Sequence, residues 1–262
     1  MKKILFSDID GTIVDKDQPL CSKDQQAIRQ LRQQGGVFAY CTGRNYQETK
    51  VIADLFEYDY MVLNNGAMIV DRYDKVIFRK QIAHDTAKEI LHYCFTHYPY
   101  MHYSFYDGMN TYMYYDQNDV RMLTLEGYVS VDKNFMELVD AMEHDFDIFC
   151  VEHPDGQMRE IYEIQKYIDD HYPGVHGTVN TRFLDVTVDH CSKGTGILTL
   201  AGLIDEPVET YCVGDSYNDI SMFLTADHPY TFHRSEEAVK EHTARQVDFV
   251  YEIVEDILGE KI

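Results

Sequence analysis

Three short apolar runs, at residues 3–7, 37–41 and 60–63, alternate with two helix-length stretches, and this alternation restricts the fold more than any other feature of the chain. A short apolar run without polar alternation reads as a strand buried on both faces, as strands inside a parallel sheet are. Parallel neighbours need crossover connections, and helical crossovers are right-handed. The order strand, helix, strand, helix, strand therefore predicts a doubly wound, Rossmann-like α/β sheet. Ser22-Lys23-Asp24-Gln25 reads as a capping box opening the first helix, with Ala27, Ile28 and Leu31 on its buried face and Gly35-Gly36 at its end. The second helix is expected over residues 45–56.

The pattern changes near residue 80. A helix over 84–97, apolar at Ala87, Ile90, Leu91 and Cys94, leads into a Tyr-rich stretch over 98–115 that turns at Asp107-Gly108 and reads as a hairpin. A helix over 134–144, a strand over 148–151 and a helix over 156–171 follow. Pro173-Gly174 breaks the last of these, and two strands run to about residue 188. From Ser192, which reads as an N-cap, the α/β pattern resumes with a helix over 193–203, a strand over 209–213, and two short strands at 230–232 and 248–251. The expected organisation is one α/β core, residues 1–81 and 188–262, split by an inserted α+β domain over 82–187. A chain of 262 residues is long enough to bury two such cores.

The formal net charge is -22. A surface this acidic repels nucleic acid and anionic lipid, so neither is expected as a partner. It also repels phosphate, so a phosphate site must supply its own local cations. No apolar stretch approaches the roughly 20 residues of a membrane helix. The run after Met1-Lys2-Lys3 is too short, and too soon followed by acid, for a signal peptide. Cys21, Cys41, Cys94, Cys150, Cys191 and Cys212 form no CxxC pair, which favours free thiols and a cytoplasmic protein.

In a parallel α/β sheet, ligands sit beyond the carboxyl ends of the strands. Asp8 and Asp10 follow the first strand, Thr42-Gly43-Arg44 the second, and Asn64-Asn65-Gly66 the third. Gly214-Asp215-Ser216-Tyr217-Asn218-Asp219 follows the strand over 209–213, and Lys193 opens the helix before it. Carboxylates, a hydroxyl, an amide and one lysine thus converge on one sheet edge. Crowded carboxylates need a cation among them, and a few hard oxygen ligands suit Mg²⁺. A carboxylate can accept a phosphoryl group, a lysine can neutralise its oxygens, and a second carboxylate can move the protons.

These motifs together resemble the haloacid dehalogenase (HAD) superfamily, and within it the Cof-type subclass IIB hydrolases. Asp8-Ile9-Asp10-Gly11-Thr12, Thr42-Gly43-Arg44, Ser192-Lys193-Gly194 and the run from Gly214 to Asp219 match its four motifs in order, and Asn65-Gly66-Ala67 matches a further turn. The resemblance implies a HAD core with an inserted C2-type cap lying over the site. It implies Asp8 as nucleophile and Mg²⁺ ligand, and Asp10 as general acid/base with its backbone carbonyl on the metal. Thr42, Gly43 and Lys193 would hold the phosphoryl oxygens, Asp215 would ligate Mg²⁺, and Asp219 would orient metal-bound water. Asn218 would contact the phosphate or position Lys193. Arg44 either meets the phosphate or pairs with a carboxylate, and Asn65 either serves the site or only shapes an Asn-Gly turn.

Two departures from the family pattern stand out. His190-Cys191 replaces a glycine and an aliphatic residue before Lys193, and residues 227–234 are more aromatic and basic than the usual small-residue turn. The expected activity is Mg²⁺-dependent hydrolysis of a small phosphorylated metabolite, a sugar phosphate or similar monoester. The alternatives are a phosphotransferase or phosphomutase of the same superfamily, and a silent binding regulator. The tyrosines between 98 and 115 suit either a sugar-stacking platform or a half-buried sheet, where aromatics are favoured.

Overall fold

Residues 3–7 form a strand because their neighbours on both sides are strands of the same direction. In the computed structural model, which describes residues 1–14, 20–53, 55–108, 110–124, 126–180 and 182–260, Lys2–Ser7 pairs in parallel with Val208–Val213 on one side and Val37–Cys41 on the other. Ile4, Leu5 and Phe6 are completely buried as a result. The sheet has eight strands in the order Gln246–Val247, His228–Phe232, Val208–Val213, Lys2–Ser7, Val37–Cys41, Tyr60–Leu63, Met68–Asp71 and Val76–Arg79. The first six run parallel.

Alternation along the central strands distributes the core. Ile4, Phe6, Ala39, Cys41 and Val62 pack with Ile197 and Leu200 of helix Lys193–Leu203 and with Met222 and Phe223. Leu5, Phe38 and Tyr40 point the other way along the same strands and are equally buried. Helix Ser22–Gln33, buried at Ala27, Ile28 and Leu31, packs on helix Val250–Leu258. Both faces of the sheet are therefore covered, as a doubly wound fold requires.

The structure corrects the sequence reading at several elements of this sheet and its helices. Residues 248–251 are not a strand: the edge strand is Gln246–Val247, and a helix begins at Val250. Val250, Ile253, Val254 and Ile257 recur at helical spacing, and Glu252 reaches back to the Phe249 amide at 3.1 Å. Ser22 is not a cap but the first helical residue, after Cys21, whose side chain makes no capping bond. The second helix is shorter than 45–56, spanning Tyr46–Ala53. Beyond the parallel strands the sheet is extended by Met68–Asp71, which returns antiparallel to Tyr60–Leu63.

Asp24, read as part of that capping box, serves another helix. Its carboxylate accepts the Tyr251 amide at 2.8 Å. Burial pushes its pKa up from 3.8 to about 6, against the pull of that hydrogen bond. A raised carboxyl pKa adds stability below the unfolded value of 3.8 and loses it as pH rises through about 6. Asp24→Asn keeps the acceptor without the charge, so it is expected to match the wild type at pH 4 and exceed it by about 1–3 kcal/mol at pH 8. Urea denaturation at the two pH values checks this; an equal difference at both would contradict it.

The chain separates into two units: Met1–Arg44, Ile52–Phe78 and Cys191–Ile262 form one, Asn45–Val51 and Arg79–His190 the other. The second unit is an antiparallel sheet in the order Val175–Asn180, Phe183–Val188, Ile148–Glu152, His102–Tyr106, Thr111–Asp116, Asp119–Thr124 and Gly127–Ser130. Its core joins Tyr103, Phe105, Tyr114, Phe149 and Val151 to Ile90 and Leu91 of helix His84–His97, Phe135 of Phe135–Asp140, and Ile161 and Ile164 of Met158–His171. Tyr103 and Tyr114 are therefore packing residues rather than a free stacking platform. The expected hairpin is the start of a four-strand meander, and the helix expected over 134–144 stops at Asp140. Arg79 grips the fully buried Asp147 through two bonds of 2.6 Å, and Gln47 accepts both the amide and the hydroxyl of Thr111.

Candidate active site

The strand Lys2–Ser7 delivers Asp8 to its carboxyl end, where the Asp8 amide still bonds to the Val213 carbonyl at 3.0 Å. The chain then turns tightly, with the amides of Thr12, Ile13 and Val14 all donating to the Ile9 carbonyl. Gly11 makes the turn possible at φ 79°. A Cβ there would lie 2.4 Å from the Asp215 carboxylate, so a larger residue would collide with the neighbouring loop. The turn brings the Thr12 hydroxyl between two acids, 3.3 Å from Asp8 and 3.1 Å from Asp215.

Lys193 arrives from the first turn of helix Lys193–Leu203. Ser192 caps that helix, accepting the Thr195 amide while the Thr195 hydroxyl accepts the Ser192 amide. Gly194 lets the first turn approach the Ser221 carbonyl, where a Cβ would stand at 2.2 Å. The Lys193 ammonium donates to Asp8 and to Asp219, each at 2.6 Å, with its side chain 1% exposed. The other Asp219 oxygen accepts the amides of Asp215 and Ser216 at 2.9 and 3.0 Å. One buried lysine thus ties the first strand, its own helix and the loop after Val208–Val213 together.

Burial first, and the crowding of charges second, govern the titration of Asp8, Asp215 and Lys193. Burial pushes the Asp8 pKa to about 8, with Asp219 and Asp215 adding to it and Lys193 opposing it. Burial and then Asp219 raise Asp215 to about 6. Burial opposes the charge on Lys193, but Asp219 and Asp8 outweigh it and hold its pKa above the ordinary lysine value. Asp8, Asp215 and Asp219 each offer an oxygen within 4.8 Å of the others. Acids that would take up protons when left alone, built from hard oxygens only, fit a divalent cation such as Mg²⁺.

The remaining predicted residues fall into two groups. Thr42, Gly43, Arg44 and Asn65 lie in interlocked loops: Asn65 donates its amide to the Thr42 carbonyl and Asn64 to the Arg44 carbonyl, both at 3.1 Å. The Thr42 hydroxyl accepts the Arg44 amide at 3.1 Å. Arg44 holds Asp10 in a two-pronged pair at 2.7 and 2.6 Å, so Asp10, half exposed, is not among the carboxylates around Lys193. Asn218 accepts the Ser216 hydroxyl, and Asp219 rather than Asn218 carries Lys193. Cys41 is an inert neighbour, its buried thiol pushed far up by desolvation.

Two residues beside the site, Asn64 and Arg234, were given no individual role by the sequence. Asn64 is completely buried at φ 53°, and among the described residues its amide oxygen and nitrogen have no hydrogen-bond partner. Arg234 donates to the Gly11 carbonyl at 2.7 Å. The only sequence sign of Arg234 was the unusual basic character of its segment.

A family model described as haloacid dehalogenase-like hydrolase matches residues 5–252. YxeH of Bacillus subtilis is 24% identical over 232 residues, covering 85% of this chain and 84% of its own length. The 5-amino-6-(5-phospho-D-ribitylamino)uracil phosphatase YwtE of the same organism is 21% identical over 262 residues, covering 91% of this chain and 90% of its own. A solved structure described as the HAD subclass IIB sugar phosphatase BT4131 superposes with a TM-score of 0.76 at 21% identity, covering 98% of this chain and 99% of that one.

Proposed function

The chain belongs to the haloacid dehalogenase-like hydrolases, and from that premise we propose that it is a Mg²⁺-dependent phosphatase of a small phosphorylated metabolite, a sugar phosphate or similar monoester, working through a phosphoryl group carried on Asp8. The observation that carries this reading is the buried Lys193 ammonium, 2.6 Å from both Asp8 and Asp219, with Asp215 alongside. A structural ion pair needs one acid for one base. Two acids on one lysine, with a third within 4.8 Å of them, leave an excess of negative charge that is costly without a cation and useful with one.

Asp8 attacks phosphorus with one carboxylate oxygen, forming an acyl phosphate as the bond to the leaving oxygen breaks. Lys193 shifts from the Asp8 carboxylate to the equatorial phosphoryl oxygens, joined by the Thr42 hydroxyl and the Gly43 amide. Asp10 protonates the leaving oxygen, then takes a proton from the water that hydrolyses the acyl phosphate. Arg44 fixes the Asp10 rotamer, and Asp10 exchanges a bond to Arg44 for one to the leaving group. Asp8, the Asp10 carbonyl and Asp215 would hold Mg²⁺, with Asp219 outside them fixing Lys193 and the Asp215 loop. When bound, the ion neutralises phosphoryl charge and removes the repulsion between Asp8 and a phosphate dianion. The small phosphorylated ligand is in keeping with the phosphatase named among the relatives.

The test is phosphate release from a panel of phosphomonoesters. Turnover is expected with Mg²⁺ and none in EDTA. No release from any monoester in Mg²⁺, or undiminished release in EDTA, would contradict the reading. Metal removal has a second expected signature. Mg²⁺ at about 100 times its Kd should stabilise the fold by about 2.7 kcal/mol. The gain should shrink from pH 8 to pH 5, because protons compete for Asp8 and Asp215, whose pKa values stand near 8 and 6. Thermal melts with and without Mg²⁺ at both pH values measure it; an equal gain at each would count against those two acids as ligands.

A further inference from the structure

The turn after strand His228–Phe232 touches both loops that carry the acids. The Thr231 hydroxyl, fully buried, donates to the Gly214 carbonyl at 2.8 Å, just before Asp215. Three residues later, Arg234 donates to the Gly11 carbonyl at 2.7 Å and lies 3.5 Å from the Thr12 carbonyl. Its guanidinium rests on the Phe232 ring, 3.7 Å from the centroid, and its other arm bonds to the Asp248 carbonyl at 3.2 Å. Phe232 is buried, so the platform under Arg234 is rigid. Stacked from below and bonded at both arms, Arg234 has little freedom left.

From this geometry we infer that Arg234 is a positioning residue for the metal seat, a role that rests on the proposed Mg²⁺-dependent reaction. Gly11 and Thr12 form the turn between Asp8 and its neighbouring loop, and the Thr12 hydroxyl bridges Asp8 and Asp215. A grip on the Gly11 carbonyl fixes that turn and, through Thr12, the separation of the two acids. Thr231 holds the opposite loop from the same short segment, so the spacing of the seat is set by one turn of chain. Arg234 also places a positive charge near the acids, where it counts among the groups lowering the Asp215 pKa. That charge opposes a divalent cation by direct repulsion, so positioning and electrostatics predict opposite signs for its removal.

Calorimetric titration of Mg²⁺ into the full chain without substrate separates the two effects. Arg234→Met keeps the apolar stack and loses the donors; it is expected to weaken Mg²⁺ binding about tenfold, the lower end for residues that orient metal ligands. Arg234→Gln keeps an N–H for the Gly11 carbonyl without the charge, and is expected to stay within about threefold of the wild type. Met and Gln variants that both bind Mg²⁺ as tightly as the wild type, or more tightly, would overturn the inference. Should Arg234→Met fail to fold, Arg234→Lys decides: it keeps the charge but cannot span the Gly11 and Asp248 carbonyls, so weaker binding supports positioning and equal binding overturns it. A wild type that binds no Mg²⁺ sinks the phosphatase reading itself, whereas a binding wild type with unaffected variants sinks only the role of Arg234.

Discussion

Asp8→Asn is expected to lower phosphate release by at least about 10⁴-fold while leaving the protein folded. The amide is nearly the size of the carboxylate and still offers Lys193 an oxygen, so the 2.6 Å contact has a substitute. It is too poor a nucleophile to take up a phosphoryl group. Kinetics under saturating Mg²⁺, with circular dichroism to confirm the fold, measure the effect. Residual activity within about tenfold of the wild type would show that Asp8 does not attack.

Lys193→Met is expected to have two separable consequences. Removing the cation from the phosphoryl oxygens should cost about 10³-fold in turnover. It also strands Asp8 and Asp219, which are 4% and 0% exposed, without their buried partner. Breaking a buried ion pair on one side costs about 3–5 kcal/mol, because the uncompensated charge stays behind. The sign with pH follows from the acids. Once Lys193 is gone nothing opposes the burial that already raises the Asp8 pKa, so the variant recovers stability as pH falls and Asp8 becomes neutral. The stability difference between variant and wild type should therefore narrow from pH 8 to pH 5 in denaturant titrations. A constant difference would mean that the lysine contributes by packing rather than by charge.

The central site was readable because a parallel sheet imposes a common destination on separated motifs. Apolar runs without alternation announced strands buried on both faces, and whatever followed each run had to meet at the carboxyl edge. Asp8, Lys193, Asp215 and Asp219 meet there. The pairing of Arg44 with Asp10 was left open, since a long side chain with several acids in reach chooses its partner by rotamer, which spacing does not record. Arg234 was illegible for another reason. It reaches Gly11 across 223 positions, through a backbone carbonyl that any residue would offer. The segment over 248–251 misled because four residues are too few to separate a strand from the start of a helix, and Ile253, Val254 and Ile257 settle the period only when taken with Val250. In the second unit, Tyr at alternate positions marked the first hairpin, but the strands Asp119–Thr124 and Gly127–Ser130 carry weaker apolar patterns and were missed.

The most direct measurement asks whether phosphorus is ever bonded to Asp8. Wild-type protein would be quenched in acid during turnover of a substrate identified by the panel, then treated with borohydride, which reduces an aspartyl phosphate to homoserine. Peptide mass spectrometry should find homoserine at position 8, and none in protein quenched without substrate or in Asp8→Asn. Steady turnover with aspartate intact at position 8, together with an active Asp8→Asn variant, would contradict the account.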